Sequence, residues 1–222
     1  MLAGVKLRMG CAPDVPLQRL QAFLGLLYER DFGIEAEVTH LPTAEQLRRL
    51  RDGELDLGLV HEAGRADGVG TERVYRGEEL TAVVALGHRV AACASVRIAD
   101  LVSDVLLVVP RRDEPGLHDR IVAIAATDGS PFRGIREVPG PSVRDMLFAV
   151  ASGHGVALVP RSIPGAVGHL GDAVTARPLA PASYMPDTFV AWPANGRPEL
   201  AEAHAAARDV ARALYGGSSI SP

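Results

Sequence analysis

"TAEQLRRLRDGELDLGLV", residues 43–60, decides the fold. Thr43 and Gln46 have the Thr-x-x-Gln spacing of a capping box, in which hydroxyl and amide satisfy free backbone N–H groups at a helix start. Leu47 and Leu50 then share one helical face, with arginines at 48, 49 and 51 on the others. Asp52-Gly53 stops the helix. Leu55, Leu57 and Leu59 alternate with Asp56 and Gly58, and Val60 closes a strand that delivers His61 and Glu62 at its carboxyl end.

Upstream, VKLRMGCA (5–12) reads as a strand ended by Pro13, and Asp14 is placed to cap the helix that follows. Leu17, Leu20, Leu24 and Leu27 recur at spacings of three and four, the mark of an amphipathic helix to about Arg30. IEAEVTH (34–40) alternates as a strand. Residues 5–60 therefore read β-α-β-α-β, the order of a parallel sheet with helical crossovers.

Downstream, residues 61–72 are rich in Gly, Ala and Asp and read as a loop. LTAVVAL (80–86), VLLVVP (105–110), IREVP (135–139), GVALVP (155–160) and TFVAW (188–192) read as strands. Residues 99–101 read as one helical turn and 116–128 as a helix with Ile121, Ile124 and Ala125 inward. Ser142 is placed to cap a helix carrying Val143, Met146, Leu147 and Val150, with Gly153 at its C′ position. Pro198 opens a last helix with Leu200, Ala203, Ala207, Val210 and Leu214 on one face, before a frayed tail. Two α/β sets meet near residues 75–85, and the pattern alone does not say which of them takes the final strand and helix.

The chain has 222 residues, a formal net charge of −4, 47% hydrophobic and 5% aromatic residues, so its core is mostly Leu, Val and Ala. No apolar run is long enough to cross a bilayer, and MLAGVKLRMG lacks the pattern of a signal peptide. The mild acidity argues against this chain gripping nucleic acid by itself, because phosphate contacts need a clustered basic face. Cys11 and Cys93 read as two buried free thiols, which fits the cytoplasm.

Catalytic signatures are scarce. G-x-S-x-G, Walker and G-x-G-x-x-G motifs are absent, and Gly153-His-Gly155 reads as a helix-to-strand turn. The seven histidines have no i, i+4 pair and no H-E-x-x-H, so no metal and no cofactor is expected. Cys11 near a helix start is either a lowered-pKa thiol or a core thiol, and the core reading is preferred. Asp56, within an apolar strand, reads as a carboxylate bonded to backbone or to an arginine.

LRMGCAP (7–13), LPTAEQLRRLRDGELDLGLV (41–60), RGEELTAVVALGHRVA (76–91), RIADLVSDVLLVVP (97–110) and SVRDMLFAVASGHGVALVPRS (142–162) occur in one order over nearly the whole chain. No one of them is specific, but the set resembles the effector-binding domain of bacterial LysR-type transcriptional regulators. The resemblance implies an α/β fold of two Rossmann-like lobes with a cleft, similar to type-2 periplasmic binding proteins. It implies lobe I at 1–77 with 187–222 and lobe II at 78–186. The family's winged helix-turn-helix, expected before residue 1, is absent from this chain.

The implied function is ligand sensing: a small-molecule effector held between the lobes controls DNA binding by that missing domain. The implied partners are the effector and a second copy, with a tetramer possible in the longer protein. DNA is contacted only through the missing domain, and no membrane is involved. Dimerisation is expected to set the first helix against the lobe II helix near 116–128, with Phe23 and Tyr28 either supplying interface surface or completing the core. Two other readings compete: a solute-binding protein of a transport system with the same fold, and a small enzyme on that scaffold.

In open α/β sheets, ligands bind beyond the carboxyl ends of the strands. The resemblance places effector contacts at Pro13, Asp14, Val15, Thr43 and His61 in lobe I, and at Arg111, Arg112, Asp113 and Ser142 in lobe II. Each has a plainer reading beside it. Asp14, Thr43 and Ser142 are helix caps, His61 is an exposed loop residue, and Arg111 and Arg112 are a solvated pair of which one at most reaches ligand. Many relatives carry Ser or Thr at the place of Asp14 to hold an effector carboxylate. A carboxylate there repels that group and admits an amine or hydroxyl instead.

Overall fold

A computed structural model describes residues 5–30, 33–61, 67–127, 129, 131–139, 143–163 and 173–217. The chain divides into two compact units, Met1–Arg76 with Asp187–Pro222 (lobe I) and Gly77–Pro186 (lobe II). Each is built on a five-stranded mixed sheet with helices packed on it.

Lobe I holds β1 (Val5–Cys11), α1 (Leu17–Tyr28), β2 (Ile34–His40), α2 (Thr43–Arg51), β3 (Leu57–His61) and β4 (Val69–Tyr75). The C-terminal segment adds β10 (Thr188–Pro193) and α5 (Ala201–Gly217), the latter entered through a 3-10 turn at Pro198–Leu200. The strand order is β2-β1-β3-β10-β4. β1 pairs parallel with β2 and β3, as the β-α-β-α-β pattern requires, and β10 runs antiparallel between β3 and β4.

β3 is buried on both faces. Leu57 and Leu59 join β1, Phe23 and Leu27 of α1, and Ala207 and Val210 of α5 in the main core. Val60 joins Leu50 of α2 and Ala191 of β10 in a smaller one. The Leu–Gly alternation of β3 thus separates two buried faces, one roomy and one tight, rather than core from water.

Lobe II holds β5 (Leu80–Ala85), β6 (Val105–Val108), α3 (Pro115–Ala125), β7 (Gly134–Glu137), α4 (Val143–Ala151), β8 (Val156–Pro160) and β9 (Val174–Pro178), in strand order β7-β6-β8-β5-β9. Alternate residues of β5 serve opposite faces. Leu80, Ala82 and Val84 pack with α3 residues Leu117, Ile121 and Ile124, whereas Val83 packs with Met146, Leu147 and Val150 of α4. Gly153 has φ +74°, the left-handed conformation a C′ glycine supplies.

Three expectations change and one alternative is decided. The loop expected over 61–72 gives way at Val69 to β4, and β9 was not expected at all. Both are polar edge strands whose ladder partners, β10 and β5, lie far away in sequence. Phe23 is fully buried in the lobe I core and offers no interface surface. Cys93 is exposed, so only Cys11 is a buried thiol.

Candidate functional site

The carboxyl end of β3 stays buried through its last residue, leaving His61 only 4% exposed rather than in a solvated loop. Its backbone N–H donates to Thr43 Oγ1 at 3.1 Å. Its imidazole Nε2 lies 2.7 Å from Asp14 Oδ1, beyond the end of β1. Asp14 is 6% exposed and Thr43 1%. Three polar side chains, brought in by two parallel strands and a helix start, therefore share one small buried volume.

This geometry removes both caps expected in lobe I. Pro16 occupies the N-cap position of α1 and Pro42 that of α2, and neither helix start has a side-chain cap. Asp14 is turned to His61, where a paired carboxylate can be buried at less cost. Thr43 is the first residue of α2, one position inside its cap, and its hydroxyl accepts from β3.

Gln46 does not complete a capping box either. It is fully buried, and its Nε2 donates to Leu41 O at 2.7 Å and Leu59 O at 3.1 Å. It lies over Gly10 and Gly58, registered opposite each other on β1 and β3. A Cβ on either would stand 2.7 Å from Gln46 Oε1. The amide therefore stitches the turn before α2 to the end of β3. The signal for it was two glycines inside strands, which mark a close approach.

Burial alone would push the Asp14 carboxyl up, but the charge of His61 and its hydrogen bond outweigh this and hold it below the usual carboxylate range. Asp14 is an anion there and accepts hydrogen bonds only. Burial, with Asp14's charge beside it, pushes the Cys11 thiol up to about 12, which makes Cys11 a protonated core thiol rather than a nucleophile. Of the neighbours of Asp14, Pro13 is half-buried and Val15 is spent on the lobe I core.

In lobe II, Arg111 and Arg112 are exposed on the segment between β6 and α3. The Arg111 guanidinium grips Asp119 of α3 through two hydrogen bonds, of 2.7 and 2.9 Å, and its backbone N–H donates to Glu137. Arg112 Nε stands 3.6 Å from Asp113 Oδ1. Ser142 lies outside the described residues. Among the described residues no group of three His, Cys, Asp or Glu is placed to hold a metal.

Asp56 is what its position implied. Its carboxylate, 2% exposed, accepts from the guanidinium groups of Arg8 and Arg197 and from the Arg8 backbone N–H. Burial opposes ionisation there, and these hydrogen bonds overcome it, so its pKa is lowered.

A two-lobed α/β module that gathers buried polar side chains at the carboxyl ends of parallel strands belongs to the ligand-binding class with the periplasmic-binding-protein-like fold. The model of the LysR substrate binding domain matches residues 3–212, and the chain belongs to that family. Its function is that of a ligand-sensing regulatory domain, and the transport reading is not favoured.

Solved structures similar to it include the reduced form of the OxyR regulatory domain from Pseudomonas aeruginosa, with TM-score 0.73 and 20% identity, covering 95% of this chain and 98% of that one. The BenM effector binding domain with its effector benzoate has TM-score 0.70 and 19% identity, covering 98% and 96%. The effector binding domain of QuiR in complex with shikimate has TM-score 0.73 and 13% identity, covering 96% and 99%. No curated protein shows significant similarity. No helix among the described residues is long and apolar enough to cross a membrane.

Proposed function

We propose that this module senses a small polar effector at the carboxyl ends of β1 and β3, with Asp14, Thr43 and His61 as its lobe I contacts. The observation that supports this is the burial of those three polar groups together where open α/β sheets take their ligands. Each buried polar group costs free energy until it is bonded, so three gathered at one strand end mark that place. Within lobe II, the segment 111–113 offers cations to an anionic group. Arg111 is held by Asp119 and must leave it to reach an anion, so Arg112 is the readier cation.

Binding here is read out rather than followed by catalysis. In a longer cytoplasmic regulator, effector occupancy controls DNA binding by an attached helix-turn-helix, and the module pairs as a homodimer. Leu17 and Tyr28, both exposed on α1, supply apolar surface for that pairing. Sedimentation at tens of micromolar, an order-of-magnitude choice for a modest interface, should show the dimer. A monomer there removes it.

The site itself is tested by calorimetry against a panel of small metabolites, with Asp14→Ala and Thr43→Val in parallel. Affinity for the ligand found should fall in both variants. A ligand bound equally well by wild type and both variants refutes the site.

A further inference from the structure

The two carboxylate oxygens of Asp14 are not equivalent. Oδ1 takes the imidazole of His61 at 2.7 Å. Oδ2 is fully buried and has no hydrogen-bond partner among the described residues. Buried polar atoms are almost always bonded, and an exception marks a missing water, ion or ligand. The carboxylate is ionised, so whatever meets Oδ2 must donate.

The start of α2 belongs to the same cluster. The His61 backbone N–H donates to Thr43 Oγ1, and Thr43 is the first residue of that nine-residue helix. No side chain caps it, and a helix start presents backbone donors and a partial positive charge, both of which call for an acceptor.

These two demands sort ligand groups by chemistry. A carboxylate satisfies the helix start and is repelled by Asp14. An ammonium satisfies Asp14 but meets the positive end of α2 with no acceptor to offer. A hydroxyl donates to one and accepts from the other. We infer that Asp14 Oδ2 and the start of α2 together form a hydroxyl subsite, so that the effector presents an alcohol, not a carboxylate or an amine, to lobe I. This rests on the site reading above and gives it a ligand class.

Three single-group probes separate the possibilities: ethylene glycol, acetate and methylammonium, titrated into the isotope-labelled chain while the His61 amide and Asp14 carboxyl resonances are followed. Ethylene glycol should shift both saturably and bind at least about tenfold more tightly than either charged probe. Asp14→Ala should abolish that preference. Asp14→Ser, which keeps a small polar group there, should move the preference toward acetate.

If acetate or methylammonium saturates the same resonances as tightly, the hydroxyl class is wrong while the site stands. If no probe saturates them, Oδ2 is served by a bound water only and the inference is overturned. The site reading falls separately, if the calorimetric ligand ignores both Asp14→Ala and Thr43→Val.

Discussion

Arg197 reaches Asp56 across 141 positions of sequence: its Nη2 donates to Asp56 Oδ2 at 2.9 Å and its Nε to Oδ1 at 3.1 Å. The same Nη2 also donates to Lys6 O at 2.8 Å. One guanidinium thus ties the C-terminal segment to β1 and to the residue before β3. Removing the Asp56 carboxylate leaves two cations short of a partner. Asp56→Ala should destabilise the chain by about 3 kcal/mol in urea unfolding. Arg8→Ala and Arg197→Ala should each cost less, because one partner remains and both arginines are partly exposed.

The same carboxylate predicts a pH dependence. The folded pKa of Asp56 is lowered, so its contribution is complete above the unfolded value, near about 4, and is lost as pH falls through the folded value. The stability difference between wild type and Asp56→Asn should be full at neutral pH and shrink on acidification below about pH 4. Chemical denaturation at a series of pH values measures it. A gap independent of pH down to about pH 2 would show that the carboxylate is not paired.

Gly58 leaves no room for a methyl group beneath Gln46, whose amide is pinned by two hydrogen bonds. Gly58→Ala should cost roughly 1–3 kcal/mol. Gln46→Ala should also destabilise, since it strips a donor from Leu59 O. The double variant should cost less than the sum, because removing the amide clears the space the methyl needs. Strict additivity in a double-mutant cycle would refute the contact.

His61→Ala leaves the Asp14 carboxylate buried with neither of its oxygens served by an imidazole. Its pKa should rise, since burial then acts without the opposing charge. Folding stability at neutral pH should drop by about 3 kcal/mol, and Asp14→Asn in that background should recover part of it. Thermal melts of the wild type and the two variants at pH 7 and pH 5 test this. The loss should be smaller at the lower pH, where the unpaired carboxyl protonates more readily.

The two cysteines should differ in reactivity. Cys93 is exposed, whereas Cys11 is buried and its thiol is pushed up to about 12. A thiol reagent should titrate one group quickly in the native protein and a second only on unfolding, and Cys93→Ser should remove the fast one. Two fast groups would mean that the end of β1 opens readily.

The periodicity of residues 5–60 was enough to establish a parallel β-α-β-α-β sheet and the apolar faces of α1 and α2, because a helix or buried strand writes its burial into neighbouring positions. Order and spacing along the chain carried the family resemblance, and the strand ends pointed to the candidate site. Local reading failed at the side chains of that site. Asp14, Thr43 and Gln46 each sit where a cap belongs by sequence, and none caps.

A capping residue and a buried polar residue look alike in sequence. What separates them is a partner elsewhere: His61 for Asp14 at 47 positions and for Thr43 at 18, and Leu59 for Gln46 at 13. The edge strands β4 and β9 were missed for the same reason, since a polar edge is held by the ladder of a strand remote in sequence. The sequence by itself determined which faces are apolar, and hence the layers of each lobe. Only the tertiary structure decided which polar groups meet, because a hydrogen bond depends on distance in space and leaves no period along the chain.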